Sequence, residues 1–243
     1  MMTKIIGLLA TPIIGISLFQ MHTTVPKPKA ITTVSTIPIT HYQLQSITKW
    51  ILDVPHIQQL PELPRGCEVT SLAMLLQDAG VHVDKVELAN KLRVLPYRDS
   101  NGVYGNMHEG FVGDMYHLDT GGIGVFAEPI YNLGKQYLGN RLINLTKQPV
   151  SAIYDAIENG SPVWVITTST FSPLQDSDFL TWNTSQGQMK VTYRQHSVVV
   201  TGFDPDYVYV NDPLSDTPNT RVNRKLFEEA WIQMGSQAIA YSS

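Results

Sequence analysis

Two hydrophobic periodicities occur in the chain, and their order limits the folds that it can adopt. The first has the roughly 3.6-residue period of one helix face, ends at Gly80 and comprises Val69, Leu72, Ala73, Leu76 and Ala79. Later in the chain the pattern is that of consecutive antiparallel strands, at 190–194, 196–203 and 207–211. Helices followed by a block of antiparallel strands are typical of the α+β class, which we therefore predict.

Capping and turn signals place the remaining elements. Asp84, with Glu87 three residues later, predicts the start of a helix over 85–92. Further helices are predicted at 129–138, at 151–159 with Ser151 as the cap, and at 224–234 after Asn223. Extended segments are predicted at 50–57, 142–145, 162–168 and 237–241, and long loops at 96–124 and 169–187.

The first residues predict a segment that is separate from the folded domain. The charged start 1–4 precedes an apolar run at 5–19, which is the order of an export signal, and Pro12 interrupts that run. Export would place the protein outside the cell or on the outer face of the membrane. The predicted parts are a signal peptide or uncleaved N-terminal anchor at 1–22, a flexible Thr- and Pro-rich linker at 23–45, and one folded domain at 46–243.

Composition restricts the partners. The chain has 43% hydrophobic residues, which is enough for one substantial core. Its formal net charge is −4, and its lysines and arginines are scattered, so we expect no nucleic-acid partner. Contact with a membrane is expected only through the N-terminal segment, if that segment is not removed. We expect the folded domain to be a monomer.

Cys67 is the only cysteine, so the chain forms no internal disulfide. It lies where a proline-flanked loop meets the helix predicted by the apolar stripe. The unpaired N–H groups and the dipole at a helix start favour an anion, which would lower the pKa of the thiol and make it a nucleophile. The alternative is a buried small hydrophobic residue, because free cysteines are among the most buried residues.

A cysteine nucleophile requires a base and a third group that fixes the tautomer of that base. His196 opens a predicted strand, and Asp212 ends the strand that follows it. In an antiparallel pair these two ends are close in space, so Asp212 could accept from one ring nitrogen while the other faces the thiol. Taken singly, His196 could be structural and Asp212 a turn residue before Pro213. Together with Cys67 they favour catalysis.

Two adjacent glutamines, Gln58 and Gln59, precede the cysteine. An amide from Gln59, with the backbone N–H of Cys67, would form an oxyanion hole for an attacked carbonyl. Gln58 is the alternative, because neighbours in an extended segment point to opposite sides and periodicity does not choose between them. Glu68, in the first helical turn, is expected to complement the helix dipole, with a catalytic role as the alternative.

The two long loops contain further aromatic and polar residues. Phe171 and Trp182 are expected to line a substrate groove, with a role in covering the core as the alternative. Six acidic and histidine residues lack the spacing of a known metal motif, so we predict no metal ion and no other cofactor; they are Asp99, His108, Glu109, Asp114, His117 and Asp119.

Five segments resemble the bacterial cysteine peptidase family thirty-nine, in its stand-alone, peptidase-like branch; they are LPRGCEVTSLAMLL, GVYGNMHEGFVGDMY, GIGVFAEPI, NGSPVWVITT and HSVVVTGFDPDYVYVNDP. The resemblance extends over 53–241. It implies a papain-like fold in which N-terminal helices carry the nucleophile and pack on a C-terminal antiparallel sheet. The roles that it implies are nucleophile for Cys67, general base and acid for His196, orienting group for Asp212, and oxyanion-hole donor for Gln59.

The residues and the resemblance together predict a secreted or surface-anchored cysteine peptidase that hydrolyses a peptide or protein substrate through a thioester. Better-known family members trim leader peptides from bacteriocins as a domain of an export transporter. This sequence shows no transporter domain, so we do not expect leader cleavage to be its task. The alternatives are a papain-like hydrolase or transferase acting on peptidoglycan stem peptides, and a catalytically inactive surface binding module.

Overall fold

The fold is given by a computed structural model, which describes residues 47–242 and the backbone of 33–35. The predicted signal or anchor at 1–22 lies outside the described residues. The same is true of the predicted linker at 23–45, apart from Thr33–Ser35, which form the strand β1. Among the helices of the described part, none combines the length and the apolar character needed to cross a bilayer.

Helices and strands are interspersed in the first part of the described chain, and a series of strands without an intervening α-helix separates the last two α-helices. The α-helices are α1 (Cys67–Asp78), α2 (Lys85–Lys91), α3 (Ala127–Leu138), α4 (Ser151–Glu158) and α5 (Arg224–Gln233). Short 3-10 helices cover Gly139–Arg141 and Asp176–Asp178. The strands after β1 are β2 (Ile47–Ile51), β3 (Val94–Leu95), β4 (Phe111–Gly113), β5 (Gly122–Gly124), β6 (Leu142–Asn144), β7 (Val163–Thr168), β8 (Leu180–Thr184), β9 (Gly187–Val191), β10 (Gln195–Phe203), β11 (Tyr207–Asn211), β12 (Thr220–Asn223) and β13 (Ala238–Tyr241).

Strand β10 is central to the large antiparallel sheet. Its first part, 195–200, pairs with β7. On its other edge it pairs with β11 only from Val199 onward. Gly202 and Phe203 pair with β11 on one edge and with β2 on the opposite edge. The order across the sheet is β1-β2-β10-β7-β13-β6, with β11 paired to β10 and β12 paired to β11. The start of β10 is therefore paired along one edge, and its other edge faces the helices.

The large sheet separates two hydrophobic cores. Trp164 and Ile166 of β7 belong to the core that includes α1, α2 and α3. Val163 and Val165 of the same strand belong to the core that includes α4 and α5. Helix α1 is buried from Cys67 to Leu76, so it is an internal helix packed between the other helices and the sheet. The nucleophile candidate thus begins an element with little freedom to move.

The helix predictions are confirmed with one correction. α1, α2, α3 and α5 begin and end within two residues of the predicted bounds. Asp84 accepts a 2.7 Å hydrogen bond from Val86 N, and Asn223 accepts a 3.0 Å bond from Leu226 N, so both act as caps. The prediction that Ser151 caps α4 is wrong. Ser151 is already helical, and the cap position is held by Val150 without a side-chain bond.

The strand and loop predictions need three corrections. The segment predicted as a strand over 50–57 pairs as β2 only up to Ile51, because the chain then leaves the sheet toward Pro55. The loop at 169–187 contains β8, which pairs with β9 in a separate two-stranded sheet. The predicted three-strand meander is therefore reduced to β10 and β11. The loop at 96–124 contains β4 and β5, which form a three-stranded sheet with β3.

We expect Gly202→Ala to destabilise the sheet strongly. An added Cβ would lie 2.2 Å from the Trp50 carbonyl oxygen and 3.0 Å from Ile51 Cα, so β2 would have to separate from β10. The expected loss in unfolding free energy is about 2–4 kcal/mol, measured by chemical denaturation.

Gly80→Ala is the control for that substitution. Gly80 has a φ of +87° and no neighbouring atom within 4 Å of the added Cβ, so only the left-handed backbone is penalised. Its expected cost is about 1 kcal/mol. Equal losses for the two variants would contradict the steric explanation.

Candidate active site

The first turns of α1 contact the free edge of β10. The carbonyl oxygen of Ser197 accepts a 3.1 Å hydrogen bond from Ser71 Oγ. On the same side of the strand, the backbone N–H of Ser197 acts to lower the pKa of the Cys67 thiol. Both groups are available to α1 because β11 ends at Asn211, opposite Val199, before it reaches this part of β10. The thiol therefore occupies the position beside β10 that a longer β11 would fill.

His196 and Asp212 form the predicted pair. His196 Nε2 lies 2.7 Å from Asp212 Oδ1, and the histidine is only 4% exposed. The same carboxylate oxygen accepts a 2.8 Å hydrogen bond from Leu214 N. Burial opposes ionisation of Asp212, but these hydrogen bonds and the charge of His196 hold the pKa of the carboxyl below its ordinary value. An ionised Asp212 keeps a proton on Nε2 and leaves Nδ1 as the nitrogen available to a thiol.

Asp212 and its neighbours are hydrogen-bonded to the segment 54–59, in which only the two glutamines were predicted to belong to the site. His56 Nε2 lies 3.0 Å from the backbone oxygen of Asp212. The backbone N–H of Gln59 donates to Pro213 O at 2.9 Å, and Asn211 Nδ2 donates to Val54 O at 3.1 Å. These contacts join parts of the chain that are more than 150 positions apart, so no local pattern could reveal them.

The two glutamines take different positions. Gln58 is exposed, and its amide donates to Asp216 Oδ1 at 2.8 Å, away from the thiol. Gln59 is buried, and its amide nitrogen donates to Leu63 O at 3.1 Å and to Pro64 O at 2.9 Å. Neither side chain is hydrogen-bonded to Cys67. In this arrangement Gln59 stabilises the turn that leads to the nucleophile, and its oxyanion role stays a prediction.

The pKa of the Cys67 thiol is shifted in the opposite direction from that expected at a helix start. Burial, followed by the charge of Glu68, raises its pKa well above the ordinary value. Asp212 adds to this rise, and the N–H of Ser197 opposes it without offsetting it. The expectation of a lowered thiol pKa is therefore wrong for this arrangement. Cys67 is 9% exposed, as the burial alternative expects, but its sulfur contacts polar groups.

Glu68 has a different environment from the predicted one. Its side chain is 1% exposed and turns toward the site, whereas an acid that only complements a helix dipole would face solvent. Oε2 lies 3.3 Å from Cys67 Sγ. Oε1 accepts hydrogen bonds from Gln195 Nε2 at 2.9 Å and from Val125 N at 3.3 Å. Burial raises the pKa of this carboxyl.

The aromatic residues of the second long loop divide between site and core. The Phe171 ring lies at an edge-to-face angle to the His196 ring, with 6.3 Å between ring centroids. Trp182 is 3% exposed and stacks on Tyr104 at 4.1 Å, within a small core beside β4 and β9. The groove expectation thus fits Phe171, and the alternative of core cover fits Trp182.

A cavity of 330 Å³ opens beside the pair of strands that leads into β10. Gln195 lies in its wall and connects it to Glu68, while Phe126 and Glu128 line it from the start of α3. Lys147 and Lys190 add positive charge to the same wall. The cavity is therefore polar on several sides, and its lining includes none of Cys67, His196 and Asp212.

The six residues considered as metal ligands do not converge. His108 Nδ1 lies 3.0 Å from Glu128 Oε2, and His117 Nδ1 lies 2.8 Å from Asp114 Oδ2. Across 47–242, no group of three or more His, Cys, Asp or Glu side chains has the spacing to hold a metal ion.

Comparison with known proteins gives matches over nearly all of the described chain. Residues 51–239 match the family described as Peptidase_C39 like family. The protein YvpB of Bacillus subtilis (strain 168), described as uncharacterized, is 47% identical over 190 residues, which cover 77% of this chain and 74% of YvpB. A crystal structure from Bacillus anthracis, provisionally described as a C39-like peptidase, is 48% identical with a TM-score of 0.79, and the match covers 80% of this chain and 98% of that one.

The matched region contains Cys67, His196 and Asp212, together with the sheet and helices that bring them together. The chain therefore belongs to the C39-like peptidase family, and its α+β architecture is the papain-like fold that the resemblance implies.

Proposed function

We propose that the protein is a cysteine peptidase that hydrolyses peptide bonds through a thioester on Cys67. The observation that carries this proposal is the 2.7 Å bond between buried His196 and Asp212, beside the strand edge that α1 contacts through the 3.1 Å hydrogen bond from Ser71 Oγ to Ser197 O. A nucleophile, a base and an orienting carboxylate thus meet at one point. Family membership supports the same reaction class.

His196 moves the proton in each half of the reaction. Its Nδ1 takes the proton from the Cys67 thiol as the sulfur attacks the substrate carbonyl carbon. It then gives that proton to the amine that leaves when the peptide bond breaks. Water attacks the thioester in the second half, again with His196 as base, and the thiol is restored. Asp212 stabilises the imidazolium that forms at each stage.

The negative oxygen formed during attack requires hydrogen-bond donors. The backbone N–H of Cys67 is a first-turn donor of α1, and such donors have no partner within the helix. Gln59 is the proposed second donor. Because its amide nitrogen contacts Leu63 O and Pro64 O, substrate binding must release one of these bonds before Gln59 can act.

The substrate is a peptide or protein, and we propose that the protein acts on it outside the cell. The charged and apolar start of the sequence supports the location. The cavity lined by Gln195 offers space for a part of the substrate away from the cleaved bond, because Gln195 directly precedes His196 in β10. Cell fractionation followed by immunoblotting tests the location, and recovery of the protein only from the cytosol would contradict it.

Replacement of the nucleophile gives the most direct test. We expect Cys67→Ala to abolish cleavage of a peptide library by the purified protein, because no thioester can form. Mass spectrometry of the products measures it, and circular dichroism checks the fold. The panel includes peptidoglycan fragments with stem peptides. Cleavage of the stem peptides alone would favour the cell-wall alternative, and no Cys67-dependent cleavage of any substrate would favour the inactive binding module.

Replacement of the base and its partner separates their roles. We expect His196→Ala to lower kcat by about three orders of magnitude or more, and Asp212→Asn by about two orders or more, because the amide no longer selects the productive tautomer. Steady-state kinetics on the best library peptide measures both. His56→Gln is the control, since it contacts only the backbone of Asp212, and it should lose less than tenfold. A loss for His56→Gln as large as that for Asp212→Asn would contradict the assigned roles.

The oxyanion role of Gln59 has its own test. We expect Gln59→Ala to lower kcat with little change in KM, by about one hundredfold for a lost oxyanion donor. Gln58→Ala, at the exposed neighbour, is the control and should be unchanged. If kcat is unaffected in Gln59→Ala while unfolding free energy falls, the residue only stabilises the 59–64 turn.

A further inference from the structure

Glu68 is the one buried ionisable side chain in contact with the thiol that the proposed reaction leaves without a task. It is 1% exposed, and its Oε2 lies 3.3 Å from Cys67 Sγ. Two negative groups in such contact, away from water, would repel each other strongly. A proton between the oxygen and the sulfur turns this repulsion into a hydrogen bond.

The hydrogen bonds of Glu68 decide which oxygen can hold that proton. Oε1 already accepts hydrogen bonds from the N–H groups of Gln195 and Val125. A proton added to Oε1 would therefore lie close to the hydrogens of these two donors. Oε2 faces the sulfur and is free of such donors among the described residues. Protonation of the carboxyl must therefore occur on the side of Cys67.

No cation of the described residues forms an ion pair with Glu68. On the loop before α1, Arg65 donates to Asp114 O and Thr120 O. On α2, Lys85 pairs with Glu62 at 2.7 Å. Both positively charged side chains therefore interact with groups other than the Glu68 carboxyl.

The ionisable groups that remain around the thiol are few. On β10 and after β11, His196 and Asp212 bond to each other. On α3, Glu128 contacts His108. The strands β5 and β7 carry no charged residue, and Trp164 of β7 donates only to the backbone oxygen of Glu68. Glu68 and Cys67 therefore depend on each other for charge compensation, and the raised pKa values of both agree with this.

Gly124 and Gln195 fix the position of the Glu68 carboxyl group. A Cβ on Gly124 would lie 2.5 Å from Glu68 Oε1, so only glycine allows β5 this close. Gln195 Nε2 donates to Glu68 Oε1 and, at 3.1 Å, to Val125 O. The side chain is thus fixed from two elements with Oε2 toward the nucleophile.

We propose that Cys67 and Glu68 share one proton in the resting protein, which makes Glu68 a second proton acceptor for the thiol beside His196. The inference concerns the site of the proposed function and rests on it for its catalytic meaning. When the S–H bond breaks and an O–H bond to Oε2 forms, the thiolate appears and the pair keeps its charge of −1.

This arrangement predicts the pH dependence of thiol reactivity. Loss of the shared proton would leave two anions in contact, so ionised Glu68 opposes the last deprotonation of the thiol. In Glu68→Gln the anion is replaced by a neutral amide of nearly the same shape that can donate to the sulfur. We expect the midpoint of the alkylation-rate profile with iodoacetamide to fall by about one pH unit or more, which at neutral pH is about a tenfold faster reaction.

Glu87→Gln is the matched control, because Glu87 is an exposed carboxylate on α2 that pairs with Lys91. Its alkylation profile should equal that of the wild type. An unchanged midpoint in Glu68→Gln, with the fold retained by circular dichroism, would overturn the inference and leave Glu68 a structural residue. Alkylation needs no substrate, so this result is independent of whether any peptide is cleaved.

A measurement on the unaltered protein covers the case in which Glu68→Gln does not fold. The alkylation profile of the wild type should show two coupled protonation steps from the pair, in addition to the effect of His196 that His196→Ala removes. A single step near the ordinary thiol pKa of about 8.5 would overturn the shared proton.

Discussion

The site depends on the fact that β7 pairs with β10 from its first residue, whereas β11 pairs with it only from Val199 onward. β10 starts four residues before the point at which β11 joins it, since Gln195 opens β10 and Val199 is the first residue paired with β11. Over this stretch one edge of β10 is paired with β7 and the other is open. The carbonyl oxygen of Ser197 accepts a hydrogen bond from Ser71 of α1, and the end of β11 places Asp212 beside His196. Sheet geometry thus aligns the thiol, the imidazole and the carboxylate without a dedicated loop.

The helical part of this arrangement followed from the sequence. The apolar stripe on one face located α1 and put Cys67 at its first turn, because amphipathic spacing is a local property. His196 and Asp212 were also predictable, since consecutive antiparallel strands bring their ends together. What local patterns could not supply was the partner of each strand. β9 and β10 are consecutive, yet β9 pairs with β8, because the chain turns at 192–195 and separates them.

The electrostatics of the site were less predictable than its geometry. A first-turn acid on a helix ordinarily faces solvent, and nothing in the periodicity distinguishes Glu68 from that common case. Its burial results from β5 and Gln195 approaching the same turn of α1, which are contacts between distant segments. For the same reason the predicted direction of the shift in the pKa of Cys67 was wrong. The helix start was identified correctly, but the burial of the thiol and the inward turn of the Glu68 carboxyl, which outweigh it, result from contacts between distant segments.

The indole of Trp164 gives the site a built-in optical label. Its Nε1 donates a 2.9 Å hydrogen bond to the backbone oxygen of Glu68, and the side chain is completely buried between β7 and α1. Emission from a buried, hydrogen-bonded indole responds to the entry of water and to the loss of that bond. Movement of the first turn of α1 by even a fraction of an ångström would therefore change the light that Trp164 emits. Because Trp50, Trp182 and Trp231 also emit, the contribution of Trp164 is the difference between the protein and a Trp164→Phe variant.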